Sequence, residues 1–300
     1  MPEKITAAVR KKIIGVALAA ENDYSTEVSV ESLAEMSGMS DKYFQRCFRQ
    51  VMGESPKSYL RRIRLQAAAY YLKWSDASIV QLALHYGYNT HGGFTKAFRK
   101  AYGISPQEFR EKEGVTPYLS SPNRGAEQFD VELLQARQLA VRIEKTSTRR
   151  IATMRYVGPT DGMASIWVPM LEWIKAHNLL NKSSILLGIH NDYWDTLAED
   201  RYRYDAAIVV PDDFEPDDAV NTLVLTGGEV AMTEFHGSLT EFDSHWRRFA
   251  EQWFPVSGYR HRGQVVYDRY PVELVSAGPF RQLLATLTGI DATLCLPVTK

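Results

Sequence analysis

The chain has 300 residues, of which 45% are hydrophobic, and a formal net charge of −1. That length points to about two domains and that composition to an ordinary globular protein, while no apolar run approaches a membrane span. The only cysteines are Cys47 and Cys295, which excludes a disulfide framework or a thiolate metal site and fits a reducing cytoplasm.

Charge becomes informative once the chain is divided. Residues 1–115 hold 17 Lys and Arg against 12 Asp and Glu, a net +5, and residues 116–300 hold 18 against 24, a net −6. The basic part fits phosphate contact, and the acidic part should avoid DNA. In chain order, Pro2-Glu3-Lys4 leads into an amphipathic helix over 4–21 and does not read as a signal peptide. A helix-turn-helix pattern follows over 29–51. Pro56 to Lys73 then reads as one uninterrupted helix, roughly 27 Å long, near the 34 Å repeat of one DNA turn. Ser75-Asp76 ends it, and Ser78 is placed to cap a second unit.

That second unit repeats the first. Leu33-Ala34, Gly38, Phe44, Phe48-Arg49, Gly53 and Ser55-Pro56 recur as Leu82-Ala83, Gly87, Phe94, Phe98-Arg99, Gly103 and Ser105-Pro106, at an offset of 49 and then 50. Such a repeat is first evidence about architecture. Ala34 and Ala83 suit a close helix crossing, and Gly38 and Gly87 suit a turn with positive φ. Ser40 is a candidate cap for the helix after the first turn. The phenylalanine pairs lie four apart on one face. Lys42, Gln45, Arg46 and Arg49 occupy the other face, and Thr95, Lys96, Arg99 and Lys100 do so in the second copy. The expected DNA-facing set is therefore Lys42, Tyr43, Gln45, Arg46 and Arg49, with Thr90, His91, Thr95, Lys96, Arg99 and Lys100. His91 precedes Gly92-Gly93, which offer no side chain to a base, so the second copy is expected to grip phosphates and the first to carry specificity. Residues 5–112, most specifically Tyr86-Gly87-Tyr88 through Phe94, Phe98-Arg99, Tyr102-Gly103 and Ser105-Pro106, closely resemble the DNA-binding domain of the AraC/XylS transcription regulators. The resemblance implies two helices set in successive major-groove segments of double-stranded DNA.

Residues 116–140 read as a linker, rich in Gly, Pro and Ser to Gly125. Beyond it, Val141–Glu144 and Ile151–Val157 read as strands, and a second repeat emerges. Ala152–Gly158 aligns with Ala231–Gly237 at an offset of 79, which carries Trp167 onto Trp246, and Trp173 matches Trp253 one residue later. Asp205–Pro211 aligns by eye with Asp291–Pro297. Each module should be a strand, a glycine turn, a Trp-bearing helix (about 160–177 and 238–253) and further strands, the two packing with approximate twofold symmetry around a groove. Tyr156-Val157-Gly158-Pro159, Asn191-Asp192, Arg203-Tyr204-Asp205-Ala206, Gly227-Gly228 and Leu296-Pro297-Val298 resemble the GyrI-like effector-binding domain over residues 141–300. The domain order resembles the Rob-like subgroup of AraC-type regulators. The fold class is thus an all-α tandem helix-turn-helix domain, 1–115, followed by an α+β domain of two pseudo-symmetric modules.

No enzyme signature is present. Gly162-Met-Ala-Ser165 lacks the second glycine of a nucleophile elbow, the seven histidines have no metal-like spacing, and Asp212-Asp213 and Asp217-Asp218 read as a solvated acidic loop. No cofactor is expected. Five of the six tryptophans fall in the second half, and Trp194 sits in the polar segment His190–Asp195. The expected ligand-binding set is Tyr156, Asp192, Tyr193, Trp194, Tyr267, Asp268 and Thr293, with Tyr156 and Tyr267 facing the groove. The family resemblance implies a glutamate near Thr293 that can hold lipophilic cations. Thr293 cannot supply that charge, and Asp268 of Tyr267-Asp268-Arg269-Tyr270 can in part. A flat lipophilic effector, neutral ahead of cationic, is the expectation. The partners are double-stranded DNA and that effector, with RNA polymerase a further candidate and no membrane. The alternatives are a hydrolase using Asp192, Glu172 or Asp268, and a protein-binding module.

Overall fold

The computed structural model describes residues 5–22, 28–75, 77–113, 139–192, 201–262, 265–272 and 290–300. They form two compact units, one before residue 121 and one after it. Most of the expected linker, together with Tyr193 and Trp194, lies outside the described residues.

The first unit is helical: α1 Ala7–Asn22, α2 Val30–Ser37, α3 Asp41–Met52, α4 Pro56–Trp74, α5 Ile79–His85, α6 His91–Tyr102 and α7 Pro106–Glu113. The sequence repeat is α2–α3 against α5–α6, and each copy builds its core from the same positions. The Phe44 and Phe48 rings lie tilted at 5.4 Å, and Phe48 meets Tyr59 of α4 at 5.3 Å. The Phe94 and Phe98 rings lie tilted at 5.6 Å, and Phe98 meets Phe109 of α7 at 5.4 Å. Gly38, Gly53, Gly87 and Gly103 all have φ between 66° and 81°, a region costly for other residues, so these glycines fix where the helices stop. Ser29 and Ser78 form capping boxes with Ser32 and Gln81. Ser40 does not cap through its side chain; only its carbonyl accepts, from the Phe44 N–H at 2.8 Å. Asp41 in the first turn supplies the negative charge that favours a helix start.

The second unit is an antiparallel sheet with helices on one face. Its strands are β1 Val141–Thr146, β2 Arg149–Gly158, β3 Leu186–His190, β4 Tyr202–Val210, β5 Asn221–Leu225, β6 Gly228–Gly237, β7 Arg260–His261, β8 Val266–Tyr270 and β9 Ile290–Thr299. The order across the sheet is β1-β6-β9-β8-β3-β4-β2-β5, with β7 added to β9. The first Trp-bearing segment is a 3-10 turn, Thr160–Ile166, followed by α8, Trp167–Ala176. The second is α9, Leu239–Arg247, which continues as a π-helical stretch to Trp253. The expected continuous helices therefore change pitch.

The order reads as two copies of one module meeting at β3 and β8. β2 and β6 differ by 79 at both ends, and β3 and β8 by 80. Gly188 pairs with Asp268, which is also its counterpart at that offset, so the local twofold axis passes between these two residues. Register also corrects the alignment of the last strands. Arg155 pairs with Asp205, and its counterpart Glu234 pairs with Thr293. Thr293, not Asp291, is therefore the equivalent of Asp205; the shared Asp-Ala pairs placed the comparison two residues out.

Period-two alternation divides the strand residues between faces. Ala152, Leu186, Tyr204, Ala206 and Ile208 pack with Trp167, Met170 and Ile174 on the helix-covered face, with Tyr156 beside them. Ile151, Leu187, Ile189, Met232, Tyr267 and Cys295 form a second core on the opposite face. Tyr156 and Tyr267 therefore do not share a groove; the sheet lies between them. Arg155 and Asp205 are fully buried and joined by two hydrogen bonds of 2.7 and 2.5 Å, whereas Glu234 and Thr293 bond at 2.8 Å in an exposed setting. Removing one partner of a buried pair strands the other charge, at a cost of about 3–5 kcal/mol. Asp205→Ala should lose that much in a urea titration followed by tryptophan fluorescence, and Glu234→Ala should lose under about 1 kcal/mol.

Candidate functional sites

In α3, burying Phe44, Cys47 and Phe48 turns Lys42, Gln45, Arg46 and Arg49 to solvent. These four follow i, i+3, i+4, i+7 spacing, so they form one stripe. Tyr43 is half-buried, and the Arg46 guanidinium lies over its ring at 5.1 Å, a contact that holds the arginine along the helix surface. In α6, His91, Lys96, Arg99 and Lys100 are exposed. Thr95, expected on the outer face, is half-buried with its hydroxyl enclosed and without a hydrogen-bond partner, because it lies next to the edge that Phe94 and Phe98 turn inward. The Thr90 hydroxyl accepts the Gly93 N–H at 3.0 Å, so it is occupied as the N-cap. Arg99 stands 3.9 Å from Glu108 with both side chains exposed, a pair too solvated to hold it firmly.

The second unit gathers polar side chains on its twofold axis. Asp268 is fully buried. It accepts from Trp246 Nε1 at 2.8 Å and the Tyr270 hydroxyl at 3.1 Å, and meets His190 Nε2 at 2.6 Å. His190 Nδ1 is 2.7 Å from the Tyr202 hydroxyl. Trp167 Nε1 donates to the Tyr204 hydroxyl at 3.0 Å, which lies 3.4 Å from that of Tyr270. Burial, then the charge of Asp268, holds the Tyr204 and Tyr270 hydroxyls well above the usual phenol range, so both stay protonated. Gly188 is required here: a Cβ would sit 2.1 Å from the Tyr204 hydroxyl. Trp167 and Trp246 are buried, and their indole N–H groups also close this network. Tyr204 falls within a segment that carries the family resemblance, whereas His190 and Tyr270 carry no sequence signal beyond lying one or two residues from Asn191 and Asp268.

The other expected ligand residues scatter. Tyr156 lies on the helix-covered face with its hydroxyl donating to the Pro159 carbonyl at 2.8 Å. Asp192 is buried and clamped by Arg203, through the backbone N–H at 2.7 Å and Nη2 at 2.6 Å. Glu172 is exposed on α8, so the three carboxylates of the hydrolase reading sit in separate settings. Asp217 is no mere loop charge: it accepts from Trp173 Nε1 at 3.0 Å and from the Ala219 N–H at 3.0 Å. Tyr267 is buried among apolar side chains. Thr293 lines an open cleft of about 590 Å³ at the ends of β6, β8 and β9, with Tyr270 on its wall.

Residues 33–112 match a family described as a helix-turn-helix domain, and residues 139–275 match the GyrI-like small molecule binding domain. The chain is 36% identical over 90 residues to a probable transcription factor, PqrA, of Proteus vulgaris, covering 30% of this chain and 73% of that one. It is 38% identical over 112 residues to an HTH-type transcriptional regulator of Haemophilus influenzae, covering 36% of each chain. It is also similar to the C-terminal domain of AraT, a response regulator of Geobacillus stearothermophilus, at 27% identity and a TM-score of 0.34, covering 41% of this chain and 98% of that one. The matched stretch thus spans about a third of the length of the Haemophilus relative.

The start of α6 yields a direct test of its asymmetry. A Cβ at Gly92 would meet nothing within 4 Å, whereas one at Gly93 would lie 3.0 Å from the capping Thr90 oxygen. Gly92→Ala should stabilise the chain by about 0.5–1 kcal/mol. Gly93→Ala should give less or reverse sign, and Thr90→Ala should cost about 1 kcal/mol. Urea denaturation followed by far-ultraviolet circular dichroism measures all three.

Proposed function

This chain belongs to the AraC-type helix-turn-helix transcriptional regulators, and on that premise we propose that it binds duplex DNA sequence-specifically and that its second unit senses a small molecule. The observation that carries the DNA part is the exposed stripe Lys42, Gln45, Arg46 and Arg49, rooted by buried Phe44 and Phe48 and repeated in outline in α6. Helix α4 separates the copies with 19 residues, about 28 Å of rigid spacer, which suits two recognition helices on one face of a duplex whose turn is about 34 Å. Lys42, Gln45 and Arg46 are assigned to base edges, and Arg49, Lys96, Arg99 and Lys100 to phosphates. The Thr90 hydroxyl is already engaged and Gly92-Gly93 carry no side chain, so α6 contributes mainly grip. RNA polymerase is the proposed downstream partner.

For the second unit, the matched family description and a cleft within the volume range of ligand sites, about 300–1,000 Å³, support small-molecule sensing.

Selection of binding sites from random duplexes with the full chain, followed by gel shifts, tests the DNA assignment. Arg46→Ala should relax preference at one base position, a discrimination of about 1–3 kcal/mol. Arg49→Ala should weaken specific and random duplexes alike and flatten the salt slope. One half of the selected site should be tightly specified and the other tolerant. If both variants act equally on specific and random DNA, or both halves are equally strict, the assignment is wrong.

A further inference from the structure

The twofold relation within the second unit allows one place to be seen twice. In the first module, the gap past the paired ends of β3 and β4 is closed. Arg155 and Asp205 form a fully buried ion pair, the Asn191 side chain donates to Asp205 at 2.8 Å, and Arg203 binds Asp192 at 2.6 Å. At the equivalent place in the second module, β8 pairs with β9 only as far as Arg269 opposite Thr293. Beyond that point β9 stays with β6, and the cleft opens between β9 and residues 270–272.

Every closing element of the first module is changed. By the offsets of 79, 80 and 88 set by the register, Arg155 becomes Glu234, Asp205 becomes Thr293, Asn191 becomes Pro271 and Asp192 becomes Val272. The apolar Ile189, buried in the first module, becomes Arg269.

Arg269 is half-buried in the cleft wall, and the one hydrogen bond of its guanidinium among the described residues runs to the Met232 sulfur at 4.0 Å. The acids of the lining are engaged. Glu234 holds Arg142 at 2.5 Å and the Thr293 hydroxyl at 2.8 Å, and Asp291 meets His236 at 2.5 Å. Lys182, exposed on the turn before β3, stands at the mouth and has no ion pair among the described residues. The wall therefore presents a guanidinium that makes no ion pair of its own among the described residues, although its charge reaches Glu144, itself held by Arg142 at 2.6 Å, beside the apolar surfaces of Ile185, Phe235 and Val272. A planar guanidinium fork matches a carboxylate in two parallel hydrogen bonds.

Resting on the reading that the second unit binds a small molecule, we infer that this cleft is its site and that it takes a compact organic carboxylate. The carboxylate lies on Arg269, Lys182 adds charge at the mouth, and the hydrocarbon body packs on Phe235 and Val272. This reverses the lipophilic-cation preference implied by the family resemblance, and it makes use of a cation that stands where the first module has the apolar Ile189.

Calorimetric titration of the full chain decides it, with benzoate and hexanoate as probes and benzylamine and benzyl alcohol as cationic and neutral counterparts. The carboxylates should bind in preference to both counterparts. Arg269→Gln should weaken them about ten- to hundredfold, Arg269→Lys should retain part of the affinity, and Lys182→Gln, on an exposed turn that cannot disturb the core, should cost about threefold. Carboxylate affinity unchanged in Arg269→Gln and Lys182→Gln, or preference for benzylamine, overturns the inference. A benzyltriphenylphosphonium titration separates the two levels. If that cation binds, and Asp268→Asn abolishes it while Arg269→Gln does not, sensing stands and the cleft assignment falls. If neither carboxylates nor the cation bind, both fall.

Discussion

The geometry of the second unit depends on one cross-strand pair. Gly188 and Asp268 face each other across β3 and β8, and each is the other's counterpart in the duplicated module. Two large side chains have no room at the centre of this packed interface. Here one position is emptied to a glycine, and the Tyr204 hydroxyl fills the space where its Cβ would be. The other keeps a carboxylate, fully buried. A buried carboxylate is tolerable only when it is fully hydrogen-bonded, and the surrounding residues meet that demand: the α9 tryptophan, His190 and Tyr270 all reach it. The pseudo-symmetric frame is thus held by an asymmetric polar centre.

The same divergence after duplication appears in the first unit. Both copies keep the elements that set geometry: the phenylalanine pair, the positive-φ glycines and the Ser-Pro start of the next helix. What differs lies on the outward stripe. In α3 it carries long donors, one of them laid over Tyr43. In α6 the first turn is given to glycine, with the cap threonine committed to the backbone. Selection on folding acts on the inward face, where a lost contact costs several kcal/mol. The outward face is free to diverge because an exposed side chain contributes little to stability.

Much of this was legible in the sequence because it rests on local rules. Glycines where helices stop, serines before prolines and phenylalanines four apart specify the tandem helical repeat without reference to anything distant. The 79-residue offset of β2 and β6 likewise carries on to Trp167 and Trp246, because no insertion falls between the strand and the helix that follows it. Long-range facts were not legible. Asp205 and Asp291 look alike in a linear comparison, and only hydrogen-bonded register shows that Thr293 is the true counterpart of Asp205. Tyr156 and Tyr267 both read as strand aromatics, but the parity that sends them to opposite faces depends on how each strand is seated in the sheet. Ser40 reads as a cap, yet its exposed side chain takes no helix N–H. His190 gave no signal because its role exists only when β3 lies beside β8.

The fate of the duplicated gap follows from the cost of burying charge. Two ionised side chains taken out of water repay their desolvation only with near-ideal geometry and saturated hydrogen bonding. The first module meets that condition: Arg155 and Asp205 bond twice, and Asn191 takes up further lone-pair capacity of the carboxylate. Replacing Asp205 by threonine in such a setting would leave a buried arginine uncompensated, so the two positions cannot change one at a time without loss. In the second module both have changed together, to Glu234 and Thr293, and the pair has moved into solvent, where Arg142 also reaches it. Once the plug is gone, apolar side chains alone cannot seal the end of a diverging strand pair, because the backbone groups there still need water or a ligand. An open cleft is the stable outcome. Arg269, standing where the first module has Ile189, borders that cleft and is only half-buried, so its charge does not bear the full desolvation that the buried position of Ile189 would impose.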